Sequence, residues 1–237
     1  MIYIANKKIK EATILKKYPN ALILDVSSKG EQPWVKFSPF YPHGEIPVPP
    51  YDNYNAEYFS QTVEGIWQGL KVFEGEDIDC SKFEIKNMEG IKRTVRKFGK
   101  PLGHRYGVEG KELLSYPVAR KKIYLQTYAW VLDNFLQKEI LLLKEQAEKQ
   151  DLVLLDYNTN EDIEDYKKPL SHAGLVKRYL LRKYPELATL TFSQPVEKKK
   201  KGTKESKPSP TTTRRKTKKK TTKGKHIDQN QKTLFDM

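Results

Sequence analysis

The sequence predicts an α+β fold: a predominantly helical single domain with a small, short-stranded sheet, plus a disordered basic C-terminal tail. Short apolar runs between polar segments are typical of buried strands. Longer stretches with apolar residues every three to four positions are typical of amphipathic helices. The length of 237 residues is enough for one hydrophobic core. Near the end the composition changes sharply to Lys, Thr, Pro and Ser, which separates the tail from that core.

The strands and the first helix are predicted from the pattern of apolar residues. Ile2–Ile4, Ala21–Val26 and Leu152–Tyr157 are apolar runs of strand length. Between the first two, residues 9–19 (IKEATILKKYP) predict a short amphipathic helix. The segment Glu31–Pro50 holds six prolines and predicts a loop, because proline fits neither helix interiors nor sheet ladders.

Three further helices follow from apolar periodicity. Thr62–Gly75 carries an apolar stripe at helical spacing, and Ser171 is a plausible N-cap of a last helix. A long, mostly buried helix is predicted from about Val118 to Ala147. Its apolar positions are Ile123, Val131, Leu132, Phe135, Ile140 and Leu143.

Composition limits the class of protein. No apolar run approaches the roughly 18 residues of a membrane span, and the N-terminus lacks a secretory signal. The single cysteine, Cys80, excludes an internal disulfide and a cysteine-based zinc site. The four histidines show no metal-ligand spacing. We therefore expect an intracellular, cytoplasmic protein, nuclear if the host is eukaryotic, with no metal and no cofactor.

The positive charge is concentrated at the C-terminus. Residues 196–237 hold 15 Lys and Arg against 4 Asp and Glu, which leaves 29 against 26 for residues 1–195. Low-complexity sequence with so few apolar residues predicts disorder. The predicted organisation is a globular domain over 1–192, a Lys/Thr-rich linker over 193–226 and a terminal peptide over 227–237.

A polar row on the Thr62 helix is the first candidate functional feature. Glu64, Gln68 and Lys71 fall on one face, and Gly65 and Gly69 lie between this face and the apolar stripe. The row is either a solvated surface face or a functional row on a helix that the glycines allow to pack closely.

The second candidate feature is the loop FSPFYPHG before this helix. Aromatic side chains on a proline-stiffened loop suit stacking on a flat ring such as a nucleobase or nicotinamide. The alternative is that they cover the core.

Together the two segments resemble the NADAR family, whose signature is a Phe-Ser-x-Phe loop followed by a helix opening Ser-Val-Glu, with Gln and Lys further on. Matching positions in the loop and helix are Phe37, Ser38, Phe40, Thr62, Val63, Glu64, Gln68 and Lys71. A later element, Gly103–Arg105, is also similar. The resemblance spans roughly residues 34–180, but only the two motifs are specific to the family.

The resemblance departs from the family near its end. NADAR proteins usually close with Asp followed by Trp-Gly, whereas the tryptophans here are at 34, 67 and 130. The second acidic residue of the family is therefore Asp156, Asp162 or absent. Its aromatic partner is lost or replaced by Tyr157.

The resemblance implies hydrolysis of an N-glycosidic bond, in ADP-ribosylated guanine or in a related ribosylated nucleotide. Such a reaction builds positive charge on the ribose, which a carboxylate stabilises while a carboxylate also activates water. Glu64 is the predicted catalytic residue, with Asp156 or Asp162 as its partner. Residues predicted to contact substrate are Phe37, Ser38, Phe40, Tyr41, His43, Trp67, Gln68, Lys71, Arg93, Arg96 and Arg105.

The tail predicts two further contacts. Its Lys/Arg run predicts salt-dependent, non-specific binding to nucleic acid, or simply a solubilising tail or an import signal. The terminal QKTLF is similar to the peptide that docks on bacterial sliding clamps, which predicts that Gln231, Leu234 and Phe235 bind such a clamp. A second functional class stays open: a non-catalytic DNA- or clamp-binding accessory protein that keeps the fold.

Overall fold

The computed structural model describes residues 1–51 and 56–186, and these residues combine helices with small sheets. The strands are β1 Ile2–Asn6, β2 Leu22–Asp25, β3 Ile46–Pro47, β4 Phe59–Ser60, β5 Lys71–Val72, β6 Gly103–Arg105, β7 Leu113–Leu114 and β8 Leu152–Asp156. The α-helices are α1 Glu11–Lys17, α2 Val63–Gly69, α3 Val95–Phe98, α4 Tyr116–Ala119, α5 Gln126–Asn134, α6 Gln137–Lys149 and α7 His172–Leu180.

The three predicted strands are confirmed and form one parallel sheet in the order β1-β8-β2. Central strand β8 is buried on both faces, which explains its continuous apolar sequence. On one face Leu152 and Leu154 join the main core, whereas on the other Val153 packs with Ile14 of α1. The sheet is therefore covered on both sides.

The prediction of one small sheet is incomplete. A β3-β4 pair and a three-stranded sheet in the order β5-β6-β7 are also present, both antiparallel. Their strands are two or three residues long, too short for an alternating pattern to identify them. The segment Glu31–Pro50 is largely irregular as predicted, but it includes a 3-10 helix over Trp34–Phe37 as well as β3.

The predicted long helix over Val118–Ala147 is wrong in its continuity. After α4 the chain forms a π-helix over Arg120–Leu125, continues as α5, and leaves helical geometry at Leu136 before α6 begins. At this break the side-chain amides of Asn134 and Gln137 donate to the Trp130 and Leu132 carbonyls, both at 2.8 Å. The Leu132 carbonyl, which the N–H of Leu136 would use in a continuous helix, is thus satisfied by a side chain.

The break changes the role of one predicted core residue. Phe135 is 37% exposed, while neighbouring Leu136 is fully buried. The other predicted positions of the long segment, Ile123, Val131, Leu132, Ile140 and Leu143, are buried in the main core. The N-cap of α7 is confirmed, since Ser171 Oγ accepts from the Gly174 N–H at 3.2 Å.

Across residues 1–51 and 56–186, no helix has the length and apolar character that a membrane crossing requires. The predicted boundary near 192, the linker over 193–226 and the terminal peptide over 227–237 lie outside the described residues.

Candidate active site on helix α2

Helix α2 begins at a side-chain cap and packs unusually closely on the chain beside it. Thr62 has extended backbone angles, and its Oγ1 accepts from the Gly65 N–H at 2.7 Å. A Cβ on Gly65 would lie 2.6 Å from the Lys82 carbonyl oxygen, and one on Gly69 would lie 2.4 Å from the Phe83 ring. Both glycines are therefore needed for close approach, which agrees with the prediction.

The polar row is a buried hydrogen-bonded chain and not a solvated face. Glu64 is 8% exposed and Gln68 is 5% exposed. The Gln68 amide donates to Glu64 Oε1 at 2.6 Å, and Lys71 Nζ donates to Gln68 Oε1 at 2.9 Å. The helix ends at Gly69, so Lys71 contributes from strand β5 and not from the predicted helix.

Arg93 fixes the orientation of this chain through its backbone. Its N–H donates to Gln68 Oε1 at 2.9 Å, so that oxygen accepts two bonds and the amide nitrogen is directed to Glu64. The Arg93 guanidinium donates to the Lys71 carbonyl at 2.6 Å and the Asp77 carbonyl at 2.8 Å, and it lies over the rings of Phe73 and Phe98. Arg93, predicted to contact substrate, instead uses its guanidinium for hydrogen bonds inside the protein.

Burial dominates the electrostatics of the row. It raises the pKa of Glu64, opposed by the hydrogen bond from Gln68 and the positive charge of Lys71. Burial also lowers the pKa of Lys71, opposed by Glu64. Among the described residues, no hydrogen bond reaches the second carboxylate oxygen of Glu64. That oxygen is available to a substrate or a water molecule.

Asp156 is buried but forms an ion pair of its own. Its Oδ2 lies 3.0 Å from His172 Nδ1 and accepts from Ser171 Oγ at 2.7 Å. Burial alone would raise the pKa of Asp156, but His172 and these hydrogen bonds lower it to about 2. His172 Nε2 lies 2.8 Å from the Val26 carbonyl, so both ring nitrogens face acceptors. Burial opposes the charged imidazolium, yet Asp156 raises the pKa of His172 overall.

The pair constrains what Asp156 does in the site. A carboxylate whose pKa is about 2 stays ionised, which excludes it as a proton donor near neutral pH. The sequence predicted an N-cap at the neighbouring Ser171, and the structure adds the pairing of His172 with Asp156. The charge of His172 also reaches Glu64, whose pKa it lowers.

Asp162 is exposed and does not join this cluster. Its Oδ1 accepts from the Glu164 N–H at 2.9 Å within a loop turn. Of the two alternatives for the second acidic residue, only Asp156 is part of the buried cluster.

The predicted aromatic loop packs largely against the core. Phe37 is fully buried, and its carbonyl accepts from the Tyr128 hydroxyl at 2.6 Å. Ser38 is 1% exposed and accepts from the Phe40 N–H at 3.2 Å. Neither side chain offers a surface to a substrate ring, so the core-covering alternative holds for this part of the loop.

The rest of the loop divides into two parts. His43 stacks on Phe135 with ring centroids 5.3 Å apart and contacts Tyr41, and its Nε2 lies 2.9 Å from the Lys36 carbonyl. Burial lowers the pKa of His43 to about 4, so the ring is neutral near pH 7. Phe40 is half-buried beneath the Lys92 ammonium, 5.4 Å from its ring centroid. The loop also contacts α2, since the Pro39 carbonyl accepts from the Glu64 N–H at 2.8 Å.

The remaining predicted cations differ in availability. Arg105 donates to Asp77 through two bonds of 2.8 and 2.7 Å, which form an ion pair at the protein surface. Arg96 is exposed on α3. Lys92, which sequence reasoning did not select, is exposed and close enough for its charge to lower the pKa of Glu64. Lys92 lies two residues after Gly90 and outside both sequence motifs, so the sequence gave no reason to select it.

Trp67 and its neighbours form an aromatic cluster beside the row. His104 stacks on Trp67 with centroids 3.8 Å apart, while Tyr116 and Tyr124 approach Trp67 edge-on at 5.9 and 5.7 Å. Burial and Lys71 lower the pKa of His104 to about 3, so this ring is neutral. Because Trp67 is half-buried, the aromatic surface next to Glu64 comes from this cluster more than from the predicted loop.

Over the described ranges 1–51 and 56–186, no group of three or more His, Cys, Asp and Glu side chains is arranged to hold a metal ion. Cys80 is exposed as a residue, but its thiol is partly shielded from solvent. This partial burial and the negative charge of Asp79 raise the pKa of the thiol. This shift disfavours the nucleophilic thiolate.

Comparison with known proteins gives one match. The model of a family of unknown function, DUF6939, matches residues 6–176, a range that includes Glu64, Asp156 and His172 and leaves out the basic tail. No curated protein and no solved structure matches the chain.

Proposed function

The chain belongs to the DUF6939 family, and we propose that it hydrolyses an N-glycosidic bond of a ribosylated nucleotide, with ADP-ribosylated guanine in nucleic acid as the preferred substrate. One observation carries the proposal. Glu64 is a buried carboxylate with a raised pKa, one oxygen fixed by Gln68 and the other without a partner among the described residues. Carboxylates held in this way are typical of catalytic sites.

The chemistry follows from this geometry. Cleavage of an N-glycosidic bond develops positive charge on the ribose, and the Glu64 carboxylate stabilises that charge at close range. A raised pKa makes the same carboxylate a better base toward an attacking water molecule. Gln68 fixes the carboxylate, and Arg93 fixes Gln68 through its backbone. The Asp156 carboxylate stays ionised near neutral pH, and the positive charge that it favours on His172 lowers the pKa of Glu64.

The cations available for phosphate differ from those predicted from sequence. Arg93 and Arg105 bond within the protein, whereas Lys92 and Arg96 are exposed. Lys71 remains in the row beside Gln68. We assign binding of substrate phosphates to Lys71, which lies in the row itself, and to Lys92 and Arg96, which are exposed and form no ion pair among the described residues.

The reaction is tested by incubating the full chain with guanine-ADP-ribosylated DNA and measuring release of ADP-ribose. Glu64→Gln keeps the shape of the side chain but removes the charge, and we expect release to fall at least 100-fold, within the range of general acid–base effects. Asp162→Asn is the matched control, because this exposed carboxylate lies in a local turn. Equal release by the wild type and Glu64→Gln would remove Glu64 from the mechanism. No release by the wild type would refute this substrate.

A non-catalytic role is the second candidate, and one observation favours it. Several predicted substrate contacts are engaged in the folded chain: Phe37 and Ser38 are buried, and Arg105 grips Asp77. A protein that keeps the fold but does not catalyse the reaction would bind its partners equally well with Glu64→Gln. It would also release no ADP-ribose from any ADP-ribosylated substrate.

We further propose that the tail tethers the domain near DNA. Gln231, Leu234 and Phe235 would dock on a sliding clamp, and the basic run from Lys198 to Lys225 would contact DNA. A linker of about 30 residues, if it is disordered as its composition predicts, would have a reach on the order of 30 Å, sufficient to sample DNA within a clamp.

The two contacts differ in their salt dependence. Lysine–phosphate contacts release counterions, so DNA binding should fall steeply between low and physiological salt, whereas burial of the apolar pair should tolerate salt. Clamp binding by the full chain is compared with that of a Leu234→Ala, Phe235→Ala variant. Unchanged binding in the variant, or none in the wild type, would contradict the tether.

A further inference from the structure

The π-helix between α4 and α5 is a local irregularity beside the Glu64 site. It spans Arg120–Leu125 and packs against α2. Single π turns inside α-helices widen the helix locally and occur frequently at functional sites. Tyr124 lies in this segment, and its ring contacts that of Trp67 edge-on, with the ring centroids 5.7 Å apart. Trp67 directly precedes Gln68 of the polar row. The irregular turn therefore places a phenol next to the polar row.

Most tyrosine hydroxyls around the core are already bonded. The Tyr51 hydroxyl pairs with Thr127, Tyr128 donates to the Phe37 carbonyl, and Tyr184 donates to the Leu125 carbonyl at 2.9 Å. Tyr124 is half-buried, yet its hydroxyl makes no hydrogen bond within residues 1–51 and 56–186. A half-buried hydroxyl without a protein partner is costly unless water or a ligand completes it.

The charges around Tyr124 define what it offers to a ligand. Burial and the negative charges of Glu64 and Asp156 raise its pKa well above the usual value of 10.0, so the phenol stays neutral. It is therefore a permanent hydrogen-bond donor. Its ring is held between Trp67 and the nearly parallel ring of Tyr128, 6.3 Å away, which limits its movement.

We propose that Tyr124 contacts the ligand of the Glu64 site, donating a hydrogen bond from its hydroxyl to a ribose oxygen or to the base of a ribosylated nucleotide. The chemical class of the ligand rests on the proposed function, whereas the role of Tyr124 rests on its position and its unbonded hydroxyl.

The experiment measures ADP-ribose binding to the full chain by isothermal titration calorimetry. Tyr124→Phe removes only the hydroxyl, and loss of one hydrogen bond predicts about tenfold weaker binding. Tyr18→Phe is the matched control. Tyr18 is also half-buried with a hydroxyl that makes no hydrogen bond in the described part of the chain, but its ring stacks on Tyr3 in the α1 face of the sheet. We expect Tyr18→Phe to bind as the wild type does.

A second measurement separates ligand contact from a structural role. Because the Tyr124 hydroxyl has no protein partner to lose, Tyr124→Phe should unfold within about 1 °C of the wild type. A large drop in the unfolding temperature would show a structural role and overturn the inference. Equal ADP-ribose affinity in Tyr124→Phe, or no binding by the wild type, would also overturn it.

The outcomes distinguish this inference from the proposed reaction. Hydrolysis by the wild type combined with unchanged affinity in Tyr124→Phe would remove Tyr124 and leave the reaction standing. Tyr124-dependent binding of ADP-ribose without any hydrolysis would refute the reaction and support the contact.

Discussion

Glu64 and Asp156 are both buried carboxylates, yet their pKa values move in opposite directions. Burial raises the pKa of Glu64, and the single amide hydrogen bond from Gln68 and the nearby charge of Lys71 oppose the rise without cancelling it. Asp156 is buried at 4% exposure, but His172, Ser171 and the Ala173 N–H hold its pKa at about 2. Partners, and not depth, decide the charge state of a buried acid.

The difference separates two roles. The paired carboxylate at Asp156 joins the end of β8 to the start of α7 and supports the fold. The carboxylate at Glu64 has spare hydrogen-bonding capacity and is stabilised less by the protein, which suits it to chemistry. Substitution of Asp156 should therefore reduce mainly stability, whereas substitution of Glu64 should reduce mainly activity.

The largest expected effect on stability belongs to Asp156→Asn. Removal of the carboxylate leaves His172 buried beside a neutral group, and breaking one side of a buried ion pair typically costs about 3–5 kcal/mol. The free energy of unfolding in urea measures the loss. A change below about 1 kcal/mol would show that the pair contributes little and that the comparison with Glu64 is false.

The pH dependence of stability sharpens the same contrast. The folded pKa of Asp156 is about 2 against a usual 3.8, so its contribution of about 2 kcal/mol is present above pH 4 and lost as the pH falls toward 2. The raised pKa of His172 adds stability below its usual 6.5 that is lost as the pH rises through the folded value. Urea unfolding from pH 2 to 9 should show both limbs in the wild type.

Asp156→Asn provides the control for this profile, because it removes both interactions. The loss of stability toward pH 2 that comes from Asp156 and the loss toward alkaline pH that comes from His172 should both disappear. Burial of His172 without its anion should instead lower its pKa, so stability should fall as the pH drops below the usual 6.5. Identical profiles for the wild type and Asp156→Asn would assign the pH dependence to other groups.

The smallest expected effect on stability belongs to Glu64→Gln. Because burial disfavours the charged form of Glu64, neutralising it should leave the free energy of unfolding unchanged or raise it by up to about 1 kcal/mol. Urea unfolding at neutral pH tests this, with Asp162→Asn as an exposed reference. A loss of more than 2 kcal/mol in Glu64→Gln would make Glu64 a structural acid like Asp156.

The comparison also shows how far sequence patterns reach into the site. Glu64, Gln68 and Lys71 were selected from their spacing, and the structure joins them in one hydrogen-bonded chain. The pairing of His172 with Asp156 had no sequence signal, because a loop of 15 residues lies between them. Lys92 and Tyr124 were also missed, since neither lies in a motif.

The sequence by itself determined the local elements: the three strands of the parallel sheet, helix α1, the start of α2 and the capped start of α7. Apolar runs and N-caps act over a few residues, so they are legible without the rest of the chain. Only the tertiary structure decided that Phe37 is buried, that Arg93 and Arg105 donate hydrogen bonds to Asp77, and that the long helix breaks at Leu136. Each of these outcomes depends on where side chains find partners once the chain has folded, because burial and hydrogen bonding are properties of the packed molecule.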